Sequence, residues 1–255
     1  MKVATGQFVD WHIGDYPLLV TCPHDGRDQP PGVPERPDEQ AGCARIKKLA
    51  DLSTRAIATG VCEAIEARTG ASPSLVLARF HRRFIDANRA ASCAFEAPAA
   101  APFYKAYHRR IRLGLDAIRR DFPKRGLLVD IHGAADLADR PDIQVLLGTD
   151  GHESIARLLE LDPNMLWRRG GLVKKLESAG FGVVPATSTA PEHVNFDGGF
   201  TIRRYGASRT TGLDAVQVEI VRSVRLDPSR RAKVIGALAR GLISLLERQK
   251  LLVQS

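Results

Sequence analysis

Short apolar runs alternate along this chain with longer stretches whose apolar residues recur every three to four positions. That alternation restricts the fold to a sheet layered with helices. Strand-length runs fall at residues 16–22, 74–80, 126–131, 181–185 and 215–221. Helical periodicity covers residues 51–69, 103–120, 151–161, 166–179 and 229–248. The first of these stretches is closed by Thr69-Gly70. Several runs, such as GLLVDI, are apolar throughout, as strands buried on both faces are. The expectation is an α/β fold: a mainly parallel or mixed central sheet with helices on both faces. With 255 residues and 44% hydrophobic content, it spans 1–255 as one domain.

No run of 18 apolar residues occurs, so no membrane span is expected. The first fifteen residues lack the apolar core of an export signal. Cys22, Cys43, Cys62 and Cys93 form no C-x-x-C pair. They read as reduced thiols in a cytoplasmic protein. The net charge of +8 permits anionic partners, but the basic residues come as scattered pairs in amphipathic stretches and read as solvated helix faces. No nucleic-acid motif accompanies them, so nucleic acid is not the expected partner.

In a parallel sheet, chemistry collects beyond the carboxyl ends of the strands. Two runs end in histidine: one enters Pro23-His24-Asp25-Gly26, the other His132-Gly133, with Asp130 two residues earlier. Two imidazoles held on rigid elements, together with one carboxylate, make a catalytic zinc set that leaves a position open. Either histidine alone would be an ordinary hydrogen-bonded loop residue. A long segment with Pro30, Pro31, Pro34 and Pro37 follows His24 and cannot be helix or inner strand. Glu219, inside AVQVEIV, is costly to bury unless paired or used. It is a general base, a residue on the solvated face of an edge strand, or the partner of an arginine such as Arg222. Residues 79–89 (RFHRRFIDANR) crowd four arginines around Asp86 and Asn88. They could seat an anionic substrate or form an ion-paired turn.

Taken in order, Pro23-His24-Asp25-Gly26, Asp51-Leu52-Ser53-Thr54, Arg82 through Arg89, Tyr107-His108, Asp130-Ile131-His132-Gly133, Gly198-Gly199-Phe200-Thr201, Tyr205-Gly206 and Gln217-Val218-Glu219 resemble the N-formylglutamate amidohydrolase family. That family is similar in fold to the zinc carboxypeptidases and aspartoacylase-like deacylases, with a phosphorylase/hydrolase-like sheet. The resemblance implies a zinc-dependent amidohydrolase acting on an N-acyl, such as N-formyl, amino acid. It implies a divalent metal on His24 and His132, with Glu219 as the catalytic glutamate. Asn88 and Arg89 would hold a substrate carboxylate, supported by Arg82 and Asp86. Gly198 and Gly199 would let the backbone approach the substrate. The carboxypeptidases place an acidic ligand three residues after the first histidine, where this chain has Arg27. Asp51 is the acidic ligand chosen here, with Asp28 and Asp38 as rivals and a helix N-cap as its ordinary role. A carboxypeptidase-like peptidase, a deacylase of larger substrates, and a non-catalytic basic binding protein are the other readings of the same fold.

Overall fold

The computed structural model describes residues 1–254. One eight-stranded mixed sheet organises them. Its strands are β1 (Ala4–Gly6), β2 (Val9–His12), β3 (Tyr16–Cys22), β4 (Pro73–Ala78), β5 (Leu127–Ala134), β6 (Ile143–Gly148), β7 (Gly182–Val184) and β8 (Asp214–Val221). Their spatial order is β1-β2-β4-β3-β5-β8-β6-β7. The α-helices are α1 (Thr54–Thr69), α2 (Ala91–Ala94), α3 (Ala101–Asp121), α4 (Ala156–Leu161), α5 (Leu172–Ser178), α6 (Phe200–Tyr205), α7 (Arg222–Arg225) and α8 (Pro228–Gln254).

The four central strands, β4, β3, β5 and β8, run parallel. They are apolar on both faces because both faces are covered. Leu18, Val20, Val129 and Val218 pack with α1, α5 and α8. Their neighbours Leu19, Leu128 and Ala215 pack on the other side with α3. The period of two is present, but both phases are apolar. Antiparallel strands flank this core: β2 on β4, and β6 on β8. No helix among the described residues is long and apolar enough to cross a membrane.

Several expectations are adjusted. β1, β2 and β6 are absent from the sequence-based list, because three- to six-residue strands beside polar loops carry little periodicity. The helix expected from residue 166 begins at Leu172, since Gly170 has a positive φ and Gly171 is extended. β8 lies between β5 and β6, so Glu219 is not on an edge strand. The expectation of four reduced thiols is corrected. Cys43 and Cys93 form a disulfide, while Cys22 and Cys62 are free and buried. Fifty residues separate the pair, and only folding of the Pro-rich segment onto α2 brings them together. The cysteine argument for a reducing compartment falls with that correction.

Two stability predictions concern the disulfide and one buried carboxyl. Replacing Cys43 and Cys93 by serine should cost about 2–4 kcal/mol, given the length of the loop they close; urea unfolding of oxidised protein measures it. Asp214 is 3% exposed, and burial pushes its carboxyl from 3.8 up to about 6. A folded-state value above the unfolded one stabilises at acid pH, and that contribution is lost as pH rises through about 6. The loss is roughly 3 kcal/mol at most. Asp214→Asn keeps an acceptor for the Leu158 amide, so its unfolding midpoint should gain on the wild type as pH rises from 4 to 8.

Candidate metal centre and active-site cleft

The carboxyl ends of β4, β3, β5 and β8 deliver the side chains of one cluster. His24 stands two residues past the end of β3, and its carbonyl accepts the Asp51 amide at 3.0 Å, which fixes the far end of the loop that contains the Pro-rich segment beside it. Asp51 does not cap α1 with its side chain. The helix is preceded by Ser53 in a left-handed conformation, and the Arg55 amide bonds to Asp25 instead. The Asp51 carboxylate is thereby free to turn inward. His132 lies within β5 rather than beyond it, directly opposite Glu219 of β8.

His24, Asp51 and His132 each offer one ligand atom, and these atoms lie within 4.8 Å of one another. The His24 and His132 Nδ1 atoms are 3.1 Å apart, and Asp51 Oδ2 is 3.3 Å from the first and 3.6 Å from the second. Both rings are held from behind. His24 Nε2 donates to Asp86 Oδ1 at 2.7 Å, and His132 Nε2 donates to Asp130 Oδ2 at 2.8 Å. A carboxylate only accepts, so each Nε2 carries the hydrogen and each neutral ring turns a lone pair inward from Nδ1. Two lone pairs facing each other at that distance repel unless a cation stands between them. The donor set therefore fits a divalent metal, and a proton is the alternative. Burial opposes charge on His132, but Asp130, Asp51 and Glu219 outweigh it and hold the imidazole well above its usual pKa. Burial likewise raises the Asp51 carboxyl, but hydrogen bonds to His132 and His24 outweigh it and hold it well below the carboxylate range. A metal would compete with that shared proton.

Glu219 faces the same cavity. Its Oε1 accepts from Gln217 Nε2 at 3.1 Å, and its buried Oε2 has no hydrogen-bond partner. Burial pushes its pKa up, tempered by the charge of His132. The cavity is about 960 Å³ and has a basic wall that includes Arg45, Lys47, Arg82 and Arg89.

The other expected residues divide. Asn88 lines the cavity with its Oδ1 taken by the amide and hydroxyl of Thr201. Its Nδ2 is 3.3 Å from His132 Nε2, but both are donors, so the amide keeps a hydrogen for a ligand. Arg89 also lines the cavity, but it is engaged at Nε by Asp86 and at its two amino groups by the Ala44 and Arg45 carbonyls. Arg82 bridges Asp51 and Asp86. Asp86 stands behind the cavity wall, where it can support Asn88 and Arg89 but not touch a substrate. It is fully buried, does not line the cavity, and is consumed by His24, Asn88 and three arginines. Those charges outweigh burial and hold its carboxyl well below the usual range.

Gly198 adopts a φ of 130°, which side chains avoid. A Cβ on Gly199 would stand 2.2 Å from Asn88 Nδ2 and 2.6 Å from Gln217 Oε1. Gly199 thus makes room for neighbouring side chains. The rivals Asp28 and Asp38 pair with Arg79 and Lys48 and stay outside the cluster. Tyr107 and His108 are buried behind the site and do not line the cavity.

Sequence reading missed two interior arginines. Arg36 reaches from the Pro-rich segment to Asp86 and to the carbonyls of Lys47, Arg82 and Cys93. Arg225 holds the carbonyls of Leu52, Ala134 and Ile220. Glycine at 133 is required because a Cβ there would meet the Arg225 guanidinium at 2.4 Å. Nothing local distinguishes either arginine from a surface one.

No family model matches the chain, and no curated protein matches it. Among solved structures, N-formylglutamate amidohydrolase from Ralstonia eutropha JMP134 is similar with a TM-score of 0.61 at 16% identity. The match covers 93% of this chain and 94% of that one. A gene product of Agrobacterium tumefaciens gives 0.59 at 16% identity, covering 98% and 97%. At this identity the likeness is one of fold, and it is the α/β fold that the sequence resemblance implied.

Elemental analysis of the purified protein should find close to one divalent metal per chain. His132→Ala should abolish it. Asp130→Asn, which leaves the ligands but removes the carboxylate behind His132, should weaken metal affinity by about 10–100-fold.

Proposed function

We propose that this chain, built on the fold of an N-formylglutamate amidohydrolase, is a metal-dependent amidohydrolase. Its substrate would be an N-acyl amino acid, such as an N-formyl one, or a similar small carboxylate-bearing amide. The observation that carries the reading is the convergence of two backed imidazole nitrogens and one carboxylate oxygen at the floor of a basic cavity, with a partnerless glutamate oxygen in the same cavity.

His24, Asp51 and His132 would hold the cation, zinc by the chemistry of the donors, with Asp86 and Asp130 fixing the two rings. When bound, such a cation supplies a Lewis acid that polarises an amide carbonyl and acidifies water. Glu219 takes a proton from the attacking water at Oε2 and returns it to the departing amine. Its raised pKa brings it closer to the value that serves both steps near neutral pH. Asn88, through Nδ2, and Arg89, through the hydrogens left free by the loop carbonyls, clamp the substrate carboxylate. Gly198 and Gly199 let the backbone line the cavity beside Asn88, and Arg82 maintains the separation of Asp51 from Asp86. The products would be a small acid such as formate and an amino acid.

The size of the cavity favours a second reading within the same chemistry. About 960 Å³ is the volume of a drug-sized ligand pocket and exceeds the needs of a formyl amino acid, so deacylation or peptide cleavage of a larger anionic substrate also fits. A panel of N-formyl, N-acetyl, longer N-acyl and peptide substrates separates the two. On the best of them, Glu219→Gln should keep its metal and lose turnover by at least ~100-fold, as removal of a general base does. Retained turnover would remove Glu219 from the reaction, and metal-loaded protein inactive on the whole panel would defeat the hydrolase reading.

A further inference from the structure

A second concavity, of about 620 Å³, opens between α3 and α6, away from the metal cluster. Its floor is Leu115, Phe200 and Tyr205. Arg112 and Arg119 stand two turns apart on α3. Arg203 and Arg204 come from α6, and Arg209 from the turn that follows. One carboxylate lines the groove, Asp116, and it pairs with Arg119. Arg203 is taken by Asp150 and Asp197. Among the described residues, Arg112, Arg204 and Arg209 have no carboxylate within ion-pair reach, which leaves three uncompensated guanidiniums around one hollow.

Two of them are also held in place. Arg204 donates Nε to Tyr205 Oη at 3.3 Å and lies 5.5 Å and 5.6 Å from the ring centroids of Phe200 and Tyr205. Arg209 donates Nε to the Arg203 carbonyl at 3.1 Å. In both, the two terminal amino groups keep their hydrogens for a ligand. Four basic residues elsewhere on the surface are neutralised locally: Arg120 by Asp121, Arg140 by Asp142, Arg168 by Asp162 and Lys174 by Glu177. The buried His108, bonded to Tyr205 Oη at 2.9 Å behind the floor, is pushed down to about 3 by burial and then by the charges of Arg204 and Arg112.

We propose that this groove is a binding site for a compact phosphate-bearing anion, distinct from the hydrolytic cleft. Guanidinium forks match phosphate oxygens in pairs, and several of them from different elements suit an anion with many oxygens.

The test is calorimetric titration of inorganic phosphate and of a sugar bisphosphate into the purified protein, with succinate as the carboxylate arm and a 20-nucleotide single strand as the extended one. The bisphosphate should bind more tightly than succinate, and the Arg204→Glu, Arg209→Glu double variant should weaken it by at least ~10-fold, since hydrogen bonds to charged groups are being removed. Arg204→Lys with Arg209→Lys keeps the charge and the fold but loses the fork, and should weaken it to a lesser degree. His132→Ala and Lys47→Glu, both in the other cleft, should leave it unchanged. Several results would overturn the site: unchanged affinity in both arginine double variants, equal affinity for succinate, loss of binding in the cleft variants, or preference for the oligonucleotide.

Discussion

The cleft depends on two imidazole nitrogens that face each other at 3.1 Å, each forced inward by a carboxylate behind it. Such a contact is unfavourable in a neutral interior. It persists because Asp86 and Asp130 each bond a ring at Nε2 and are themselves held. Asp130 accepts the Thr21 hydroxyl from β3 at 2.5 Å, and Asp86 is gripped by Arg36, Arg82 and Arg89. Four buried carboxylates, counting Asp51 and Glu219, would be ruinous unpaired. The surrounding cations compensate them, and a metal where the ligands converge would add to that.

That compensation explains the form of the loops. The chain between His24 and Asp51 has no helix or strand of its own, yet its backbone carbonyls are donated to: Lys47 by Arg36, and Ala44 and Arg45 by Arg89. The Cys43–Cys93 disulfide closes the same region. On the other side, Arg225 collects carbonyls from Leu52, Ala134 and Ile220, joining the start of α1 to the ends of β5 and β8. Interior arginines thus do for the rim what hydrogen-bonded ladders do for the sheet. They satisfy backbone acceptors that irregular chain would otherwise bury alone.

The central strands were legible because their signal is local. Tyr16–Cys22 coincides with its apolar run, and the runs leading to His132 and Glu219 fall within β5 and β8. His24 and His132 stood out because each follows such a run. Asp86 was legible among its arginines as a support for Asn88 and Arg89, but its 2.7 Å bond to His24 was not, because the two lie 62 residues apart. Arg36 and Arg225 carried no signal, because an arginine's burial is decided by partners dozens of residues away.

The amino-acid sequence by itself determined the layered α/β class, the positions of the inner strands and the residue types able to bind a metal. These follow from hydrophobic periodicity and donor chemistry, which act over a few residues. Tertiary structure alone decided that Asp51 rather than Asp28 or Asp38 joins the histidines, that Cys43 meets Cys93, and that Glu219 sits on an inner strand. Each depends on strand order and loop path, and contacts between distant segments are set by how whole elements pack, which no short window of residues encodes.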